Sequence, residues 1–389
     1  MKILFVSPSY NPLDGMGWGA VQRTNLLFEA CTQLGHVDVI TFVDNVVSSR
    51  EDCSILHAKS DNEIQHKDGR WQKLLRMFAP WNPYTMFPKN PHRAAIIRQF
   101  IQKKSYDLIV CRYIPSAMEC GLFDFADKLV IDVDDNPLDV ERTAARTSRT
   151  LRNRLYHRYR AMVIGYTLRK IQNKCHFTFY ANPTQAIFQN SAYLPNIPFY
   201  DYDMKVVDFS KTTNRILFVG NMSYGPNSAG VLHFIKHVFP LIQKEIPEAE
   251  LHLVGGCNDE SFLSQCRINK GVQYVGFVDS LESEYSQARV VAVPIYGGAG
   301  TNIKVLEAMK MNRPCVTTIY GVRGFLDYFH HGQGILVATD DTLFASAIID
   351  MLRDETKNHS ISRRAQAIVT AHFSHKAFDE IVKYNLLTK

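Results

Sequence analysis

Two charged residues, Lys304 and Glu307, follow a glycine-rich turn in a pattern that suits the binding of a phosphate. The turn contains Gly297, Gly298 and Gly300, and glycine allows a backbone to approach a ligand closely. A helix that begins after such a turn presents unpaired amides and its positive dipole end to an anion. Lysine and glutamate three residues apart share one face of that helix. The pattern predicts a nucleotide, with the cation on its diphosphate and the carboxylate on its ribose.

A surface ion pair on a packing helix is the alternative interpretation of these two charges. A lysine placed before a glutamate is the poorer orientation for such a pair. Three glycines are also more than a plain connection requires, although a glycine turn alone is weak evidence for a ligand. The spacing therefore favours the nucleotide site.

A strand, a helix and a second strand must position these side chains. Residues 290–295 are apolar and β-branched, which predicts a strand buried on both faces of a parallel sheet. Thr301 is placed to cap the helix, and Asn312 with the proline two residues later is placed to end it. Residues 315–318 then form the second strand, so the segment is predicted to be a βαβ unit.

The sequence Gly-Thr-Asn-Ile-Lys-Val-Leu-Glu-Ala-Met at 300–309, with Arg-Pro-Cys-Val-Thr-Thr at 313–318, resembles the donor-site motif of GT-B glycosyltransferases of family 4. It is most similar to their bacterial exopolysaccharide branch. The resemblance implies that Glu307 holds the ribose of a nucleotide sugar and that Lys304 lies near the diphosphate. Many members carry a second glutamate near the sugar where this chain has Ala299, so the choice of sugar stays open.

The resemblance also implies which other residues hold the donor. Many members have an arginine after the glycine at Gly220 and a lysine shortly beyond it, whereas this chain has Asn221 and then Asn227 or Ser228. Lys304 is therefore expected to be the main cation. The turn that ends near Val278 is expected to hold the base. The donor-binding residues expected from these comparisons are Gly15, Gly17, Gly220, Asn221, Val278, Gly298, Gly300, Thr301, Asn302, Lys304 and Glu307.

The first half opens with an apolar strand at residues 2–6 and a loop containing Gly15 and Gly17. A glycine loop at the carboxyl end of a first strand faces the ligand crevice of an open α/β sheet. In the resembled family this loop touches the donor phosphates or shapes the acceptor side. A plain strand-to-helix connection is the alternative.

Three aspartates, Asp132, Asp134 and Asp135, follow a predicted strand at residues 129–133. Carboxylates this close repel one another unless a cation, a metal or a shared proton relieves them. The resemblance places Asp134 in the slot of a histidine that reaches the transferred sugar, which implies a catalytic role. A divalent metal at Asp132 and Asp134, and helix capping by Asp139 or Asn136, are the alternatives.

Ten lysines or arginines and no acid occupy the stretch from Arg142 to Lys174, although the net charge of the whole chain is only +6. Apolar residues spaced by four within it predict a cationic amphipathic helix. An anionic membrane surface or acceptor is the favoured partner, because each basic residue near an anionic leaflet contributes about 1 kcal/mol. A solvated helix is the main alternative, and nucleic acid is the weakest because few aromatic residues accompany the charges.

The length of 389 residues suits two domains, and 46% hydrophobic and 21% charged residues are typical of a soluble globular protein. We expect residues 1–196 to form an acceptor-side domain, 197–212 a linker, 213–372 a nucleotide-sugar domain, and 373–389 a helix that crosses back. No run of about 18 apolar residues exists. The eight cysteines show no metal spacing and are expected to be reduced core residues of a cytoplasmic protein attached to the inner membrane face.

The fold expected from the resemblance is α/β of the GT-B type, with two Rossmann-like doubly wound domains facing across a cleft. The implied activity is transfer of a sugar, with retention of configuration, from a UDP- or GDP-linked donor to a glycan or lipid-linked saccharide in bacterial surface polysaccharide synthesis, as in capsule or lipopolysaccharide. Asp134, Lys304 and Glu307 are the expected catalytic residues, and neither a metal nor a cofactor is required. A nucleotide-sugar 2-epimerase needs histidine and carboxylate bases, of which the sequence indicates no cluster in the second half. A catalytically dead membrane-associated subunit is the non-enzymatic alternative.

Overall fold

The computed structural model of the chain describes residues 1–14, 19–61, 86–134, 136–148, 150–199, 204–297 and 301–388. These residues form two compact units. The first unit comprises Met1–Pro195 and Phe378–Lys389, and the second comprises Asn196–Ala377.

The described part of the first unit contains one parallel sheet. Its strands are β1 (Lys2–Ser7), β2 (His36–Thr41), β3 (Cys53–Ala58), β4 (Leu108–Arg112), β5 (Leu129–Val133), β6 (Phe177–Tyr180) and β7 (Ser191–Tyr193). The strand order is β3-β2-β1-β4-β5-β6-β7. The helices are α1 (Gly19–Thr32), α2 (Pro91–Lys103), α3 (Ile114–Glu119), α4 (Pro137–Thr147) and α5 (Leu151–Gln172).

The central strands of this sheet are apolar along their whole length because both faces are covered. Every residue of β4 and β5 is buried, which matches a parallel sheet with helices on its faces. The predicted strand at 129–133 is confirmed. The side chain of Asn136 accepts a hydrogen bond from the backbone amide of Leu138 at the start of α4, so the capping prediction for Asn136 is confirmed.

The second unit repeats the architecture. Its strands are β8 (Arg215–Val219), β9 (Glu250–Val254), β10 (Val272–Gly276), β11 (Val290–Val293), β12 (Cys315–Thr318), β13 (His330–His331) and β14 (Gly334–Ala338). Their order is β10-β9-β8-β11-β12-β14-β13 in the residues described. The helices are α6 (Gly225–His233), α7 (Phe239–Glu245), α8 (Glu260–Ile268), α9 (Glu282–Gln287), α10 (Ile303–Lys310), α11 (Ile319–Val322), α12 (Asp341–Arg353) and α13 (Glu355–His372), and α14 (His375–Leu387) follows.

The strand order reverses between β1 and β4 in the first sheet and between β8 and β11 in the second. In open α/β sheets, ligands bind at the carboxyl ends of the strands that flank such a reversal. Gly220 follows β8, and Gly297 follows β11, so both lie at that edge of the second sheet. The predicted α/β fold of two parallel-sheet units is confirmed.

The sequence also predicts one helix at 228–246 and another after Asn182, and both predictions are wrong. The first helix begins at Gly225, because the proline after Gly225 fits the first turn of a helix, and a π-helical turn (Phe234–Val238) joins α6 to α7. The second is only a 3-10 turn at Pro183–Gln185. Strand β3 was not predicted.

No helix within the described ranges combines the length and the apolar content that crossing a bilayer requires.

Candidate functional site

Lys304 lies in the first turn of α10, at the strand reversal of the second unit. Its ammonium donates a hydrogen bond to Oδ1 of Asn227 at 2.6 Å and lies 5.0 Å from the ring centre of Phe218, near the end of β8. Burial lowers the pKa of Lys304 to about 8, although the charge of Glu307 opposes the change. Burial therefore disfavours the charged form of the Lys304 ammonium at the edge of the sheet. An anionic ligand would favour that charged form.

Gly220 leaves the space that this ammonium occupies. A Cβ atom at Gly220 would lie 3.2 Å from the Lys304 Nζ atom and 3.0 Å from the Asn227 Nδ2 atom. Both contacts are tighter than a side chain normally makes, so Gly220 allows Lys304 and Asn227 to meet over the end of β8. The structure thus brings Gly220 and Lys304 together, as expected from the sequence.

Asn227 was considered only as a substitute for a missing lysine, yet it is the direct partner of Lys304. Because α6 begins at Gly225, Asn227 lies in the first turn of the helix and is buried. Its Nδ2 atom donates to the carbonyl oxygen of Asn221 at 2.8 Å. The Asn221 side chain instead accepts from the backbone amide of Ser223, also at 2.8 Å, which closes the turn after β8. Asn221 therefore supports this site through its backbone.

Glu307 lies one turn after Lys304 on α10 and is half-buried. Burial raises the pKa of Glu307 to about 7, and the nearby Lys304 partly offsets the increase. Both side chains thus titrate near neutral pH because both charged forms are poorly solvated. A carboxylate in this state can accept strong hydrogen bonds from ligand hydroxyls.

Thr301 does not cap α10, so that prediction is wrong. The residue before the helix is Asn302, and its side chain makes no capping hydrogen bond to the first turn. The Thr301 hydroxyl accepts from Asn196 Nδ2 at 2.7 Å, and its methyl group packs against the backbone at Gly324. Asn302 Nδ2 donates to the carbonyl of Gly321 at 3.3 Å. Among the residues that the structure describes, no capping side chain therefore engages the amides at the start of α10, which is the arrangement that binds anions.

Four predicted donor-binding glycines, Gly15, Gly17, Gly298 and Gly300, lie outside the described residues. Val278 is described. It follows β10 at the same edge of the sheet and is half-buried, while its neighbour Phe277 is 80% exposed. Phe277 was not predicted as a site residue from the sequence, because a single aromatic residue in a turn forms no recognisable motif.

In the first unit, two arginines pair with Asp132 and Asp134, whereas Asp135 lies outside the described residues. Asp132 is fully buried and accepts from Arg23 at 2.6 and 2.8 Å and from Arg112 at 3.0 Å. Burial alone would raise the pKa of Asp132, but the two guanidinium groups lower it below its ordinary value. Arg112 also donates to Asp134 at 2.9 Å. The repulsion between Asp132 and Asp134 is thus relieved by cationic partners.

The same arginines tie this cluster to other elements of the first unit. Arg112 donates to the Thr24 hydroxyl of α1 at 2.7 Å and to the Ala20 carbonyl. Arg23 donates to the carbonyls of Leu194 and Pro195 at 3.0 and 3.1 Å. Asp134 is therefore positioned by a network that includes the start of α1. Neither arginine was singled out from the sequence, although an arginine ending an apolar strand signals a buried carboxylate partner.

The second unit contains a histidine–carboxylate pair that the sequence did not indicate. Nε2 of His233 lies 2.9 Å from Asp341, and the Tyr296 hydroxyl donates to the same carboxylate at 3.5 Å. The ring of Tyr296 lies 4.7 Å from that of His233. Burial, with Asp341 nearby, raises the pKa of Tyr296 to about 12. The sequence gives no sign of this pair, because 108 residues separate its two partners.

Comparison with known proteins agrees with this fold. Residues 213–354 match the family model described as Glycosyl transferases group 1. A protein of Klebsiella pneumoniae, described as an uncharacterized 44.6 kDa protein in the cps region, is 23% identical over 329 residues, which are 81% of this chain and 83% of that protein.

Two solved structures resemble the whole chain. Sucrose-phosphate synthase from Thermosynechococcus elongatus has a TM-score of 0.69 and 16% identity, covering 98% of this chain and 97% of that one. HepE (Alr3699) of Anabaena, in complex with UDP and glucose, has a TM-score of 0.66 and 14% identity and covers 100% of both chains. The chain therefore has the GT-B fold, and its residues 213–354 carry a Glycosyl transferases group 1 domain.

Proposed function

We propose that the protein is a retaining glycosyltransferase that moves a sugar from a nucleotide-diphosphate sugar to a hydroxyl of a glycan or lipid-linked saccharide. The observation that carries the proposal is the Lys304 ammonium at the uncapped start of α10, within the group 1 domain. An ammonium beside open helix amides suits a diphosphate, and the similar HepE structure contains UDP.

The donor would be held from both ends of this site. Lys304 and the α10 amides bind the diphosphate, and Glu307 accepts hydrogen bonds from the ribose hydroxyls. The backbone near Val278 contacts the base at the neighbouring strand end. UDP is the first nucleotide to test, with GDP as the rival.

Transfer then requires the leaving diphosphate to be stabilised more strongly than the intact donor. As the bond between the sugar anomeric carbon and the phosphate oxygen breaks, negative charge grows on that oxygen, and Lys304 and the helix amides face it. The acceptor oxygen bonds to the same face of the carbon, and its proton passes to the departing phosphate oxygen. Asp134, held by Arg112, orients the transferred sugar. This route uses no metal and no other cofactor.

The proposed acceptor belongs to bacterial surface polysaccharide synthesis. The relative in the Klebsiella pneumoniae cps region supports this placement, and it covers 81% of the chain. The basic stretch from Arg142 to Lys174 is proposed to contact an anionic membrane surface, which would hold a cytoplasmic enzyme close to a lipid-linked acceptor.

Calorimetric titration of the full chain with UDP, GDP and ADP tests the donor site. Lys304→Met should weaken binding of the preferred nucleotide by about tenfold or more, since a hydrogen bond to a charged group contributes about 1.5–3 kcal/mol. Lys236→Met is the matched control, because Lys236 is an exposed lysine of the same unit. Failure of all three nucleotides to bind would favour the dead subunit and end the proposal.

The His233–Asp341 pair with Tyr296 favours one second candidate, a nucleotide-sugar 2-epimerase, since it supplies the histidine and carboxylate such chemistry needs. Product analysis separates the two. An epimerase converts the nucleotide sugar without an acceptor and should lose that conversion in His233→Gln. A transferase releases the nucleoside diphosphate in step with acceptor glycosylation.

A further inference from the structure

The first half of α5 carries apolar side chains in solvent. Every buried residue of α5 lies between Val163 and Gln172. Leu151 is 71% exposed, Leu155 is 56% exposed and Met162 is 62% exposed. At about 1.5 Å per residue, the first twelve residues extend about 18 Å without joining the core.

These exposed residues form a stripe on the opposite side of α5 from the core. At about 100° per residue, Leu151, Leu155, Met162 and Tyr166 fall within a sector of about 60°. The buried residues centre about 170° away from that sector. The helix therefore has two apolar faces. The sequence predicts a single stripe in which Leu151 and Leu155 continue into Val163 and Ile171, and this prediction is wrong.

Arginines flank this stripe on both sides. By the same angular count, Arg152 lies about 40° beyond one edge and Arg158 about 20° beyond the other. Both are exposed. An apolar stripe bordered by cations is the arrangement of a helix that lies in a membrane interface, where the apolar side chains enter the leaflet and the cations meet phosphates. The segment from Arg142 to Lys174 contains no acid, and Arg160 and Arg142 pair with Glu141 and Asp139 of α4.

The hairpin of α4 and α5 holds the stripe in place. Glu141 of α4 accepts from Arg160 at 2.7 Å and lies 2.7 Å from Nδ1 of His157. These contacts attach the exposed half of α5 to α4 on a side away from the stripe. The stripe is thus presented on a supported helix.

The stripe leads into an open groove of about 590 Å³ between α4 and α5. Met162 and Tyr166 belong to both, and Arg169 lines the groove. Asn136 and Thr184, which follow β5 and β6, also line it, so the groove reaches the carboxyl edge of the first sheet. Its volume is within the range of about 300–1,000 Å³ that is usual for ligand sites.

We propose that the stripe of α5 inserts into an anionic lipid leaflet and that the groove admits a chain of one of its lipids. This inference rests on the proposed function, because membrane insertion would serve to bring a lipid-linked acceptor to the edge of the sheet where Asp134 lies. It goes beyond electrostatic attachment, because it assigns part of the binding to the apolar side chains. A second copy of the chain is disfavoured as the occupant, because pairing this face with itself would bring like charges together.

Co-sedimentation of the full chain with vesicles tests the inference. Binding should require phosphatidylglycerol in a phosphatidylcholine vesicle. The variant with Leu151→Asn and Leu155→Asn should bind about tenfold more weakly for each leucine, since partial burial of one contributes about 1.4 kcal/mol. Ile268→Asn is the matched control, because Ile268 is 74% exposed on the second unit. A fluorophore on Met162→Cys should shift to the blue on binding.

Each other outcome overturns the inference. These outcomes are no binding to either vesicle, equal loss in the Ile268→Asn control, or binding that depends on Arg152 and Arg158 but not on the leucines. A stable dimer in light scattering that the leucine variant abolishes, without vesicle binding, would identify a second copy as the occupant. UDP titration of the same samples reports on the donor site separately, since vesicle binding requires no nucleotide.

Discussion

Replacing Glu307 with glutamine should stabilise the free protein while weakening its binding to UDP. Burial raises the pKa of Glu307 from 4.5 to about 7. At about 1.4 kcal/mol per pH unit, this rise disfavours the charged form by about 3 kcal/mol. Glu307→Gln removes that charge, but Lys304 then loses its nearby carboxylate. We expect a net gain of about 2 kcal/mol, or about 4–8 °C in Tm for a unit of this size.

The gain should depend on pH in a defined direction. Since the pKa of Glu307 is raised in the folded state, its stabilising contribution is complete below about 4.5 and is lost as the pH rises through about 7. Wild type and Glu307→Gln should therefore melt together near the lower value, and the variant should melt higher above about pH 7. Thermal unfolding followed by circular dichroism at both pH values measures this difference.

Two results would refute the reasoning. One is a Glu307→Gln variant that melts at or below the wild-type temperature above pH 7. The other is UDP affinity that is unchanged, because loss of hydrogen bonds to a charged group should weaken binding by about tenfold to a hundredfold. Glu282→Gln is the control, since Glu282 is exposed on the same unit and should change neither quantity.

Further predictions concern the same two sites. UDP affinity should be greatest between about pH 7 and about pH 8. Glu307 is protonated below about pH 7, and Lys304 loses its proton above about pH 8. Calorimetric titration with UDP across this pH range measures the change in affinity. Gly220→Ala should reduce UDP affinity by about tenfold by placing a methyl group 3.2 Å from the Lys304 ammonium, whereas Gly225→Ala, whose methyl group would meet nothing within 4 Å, should not. Asp132→Asn should destabilise the protein by about 3–5 kcal/mol in urea denaturation, because two guanidinium groups would stay buried without their carboxylate; a change below about 1 kcal/mol would contradict the buried network.

Features that follow from local chemistry could be predicted from the sequence. Apolar runs at 129–133 and 315–318 are strands at those residues, because a strand that is buried on both faces is apolar throughout. The end of α10 could also be predicted from the sequence. Asn312 has a φ of 55°, and asparagine is among the residues that tolerate this conformation.

The partners of the charged residues could not be predicted, because the contacts join distant parts of the chain. Lys304 and Asn227 are 77 residues apart, and Arg23 and Asp132 are 109 apart. The sequence indicated that the aspartates need a cation, a metal or a shared proton, but it did not indicate that Arg23 and Arg112 are the partners. The exposed stripe of α5 was missed for a related reason, since periodicity locates apolar faces but not the point where the core ends.

The last helix has a consequence for biosynthesis. Phe378 is buried in the first unit, and its ring centre lies 5.8 Å from the Arg23 guanidinium. The first unit therefore lacks part of its interior until Asn196–Ala377, which form the second unit, have been translated. Domains usually fold in order of synthesis, but here the interior of the first unit is completed only after the second unit has been synthesised.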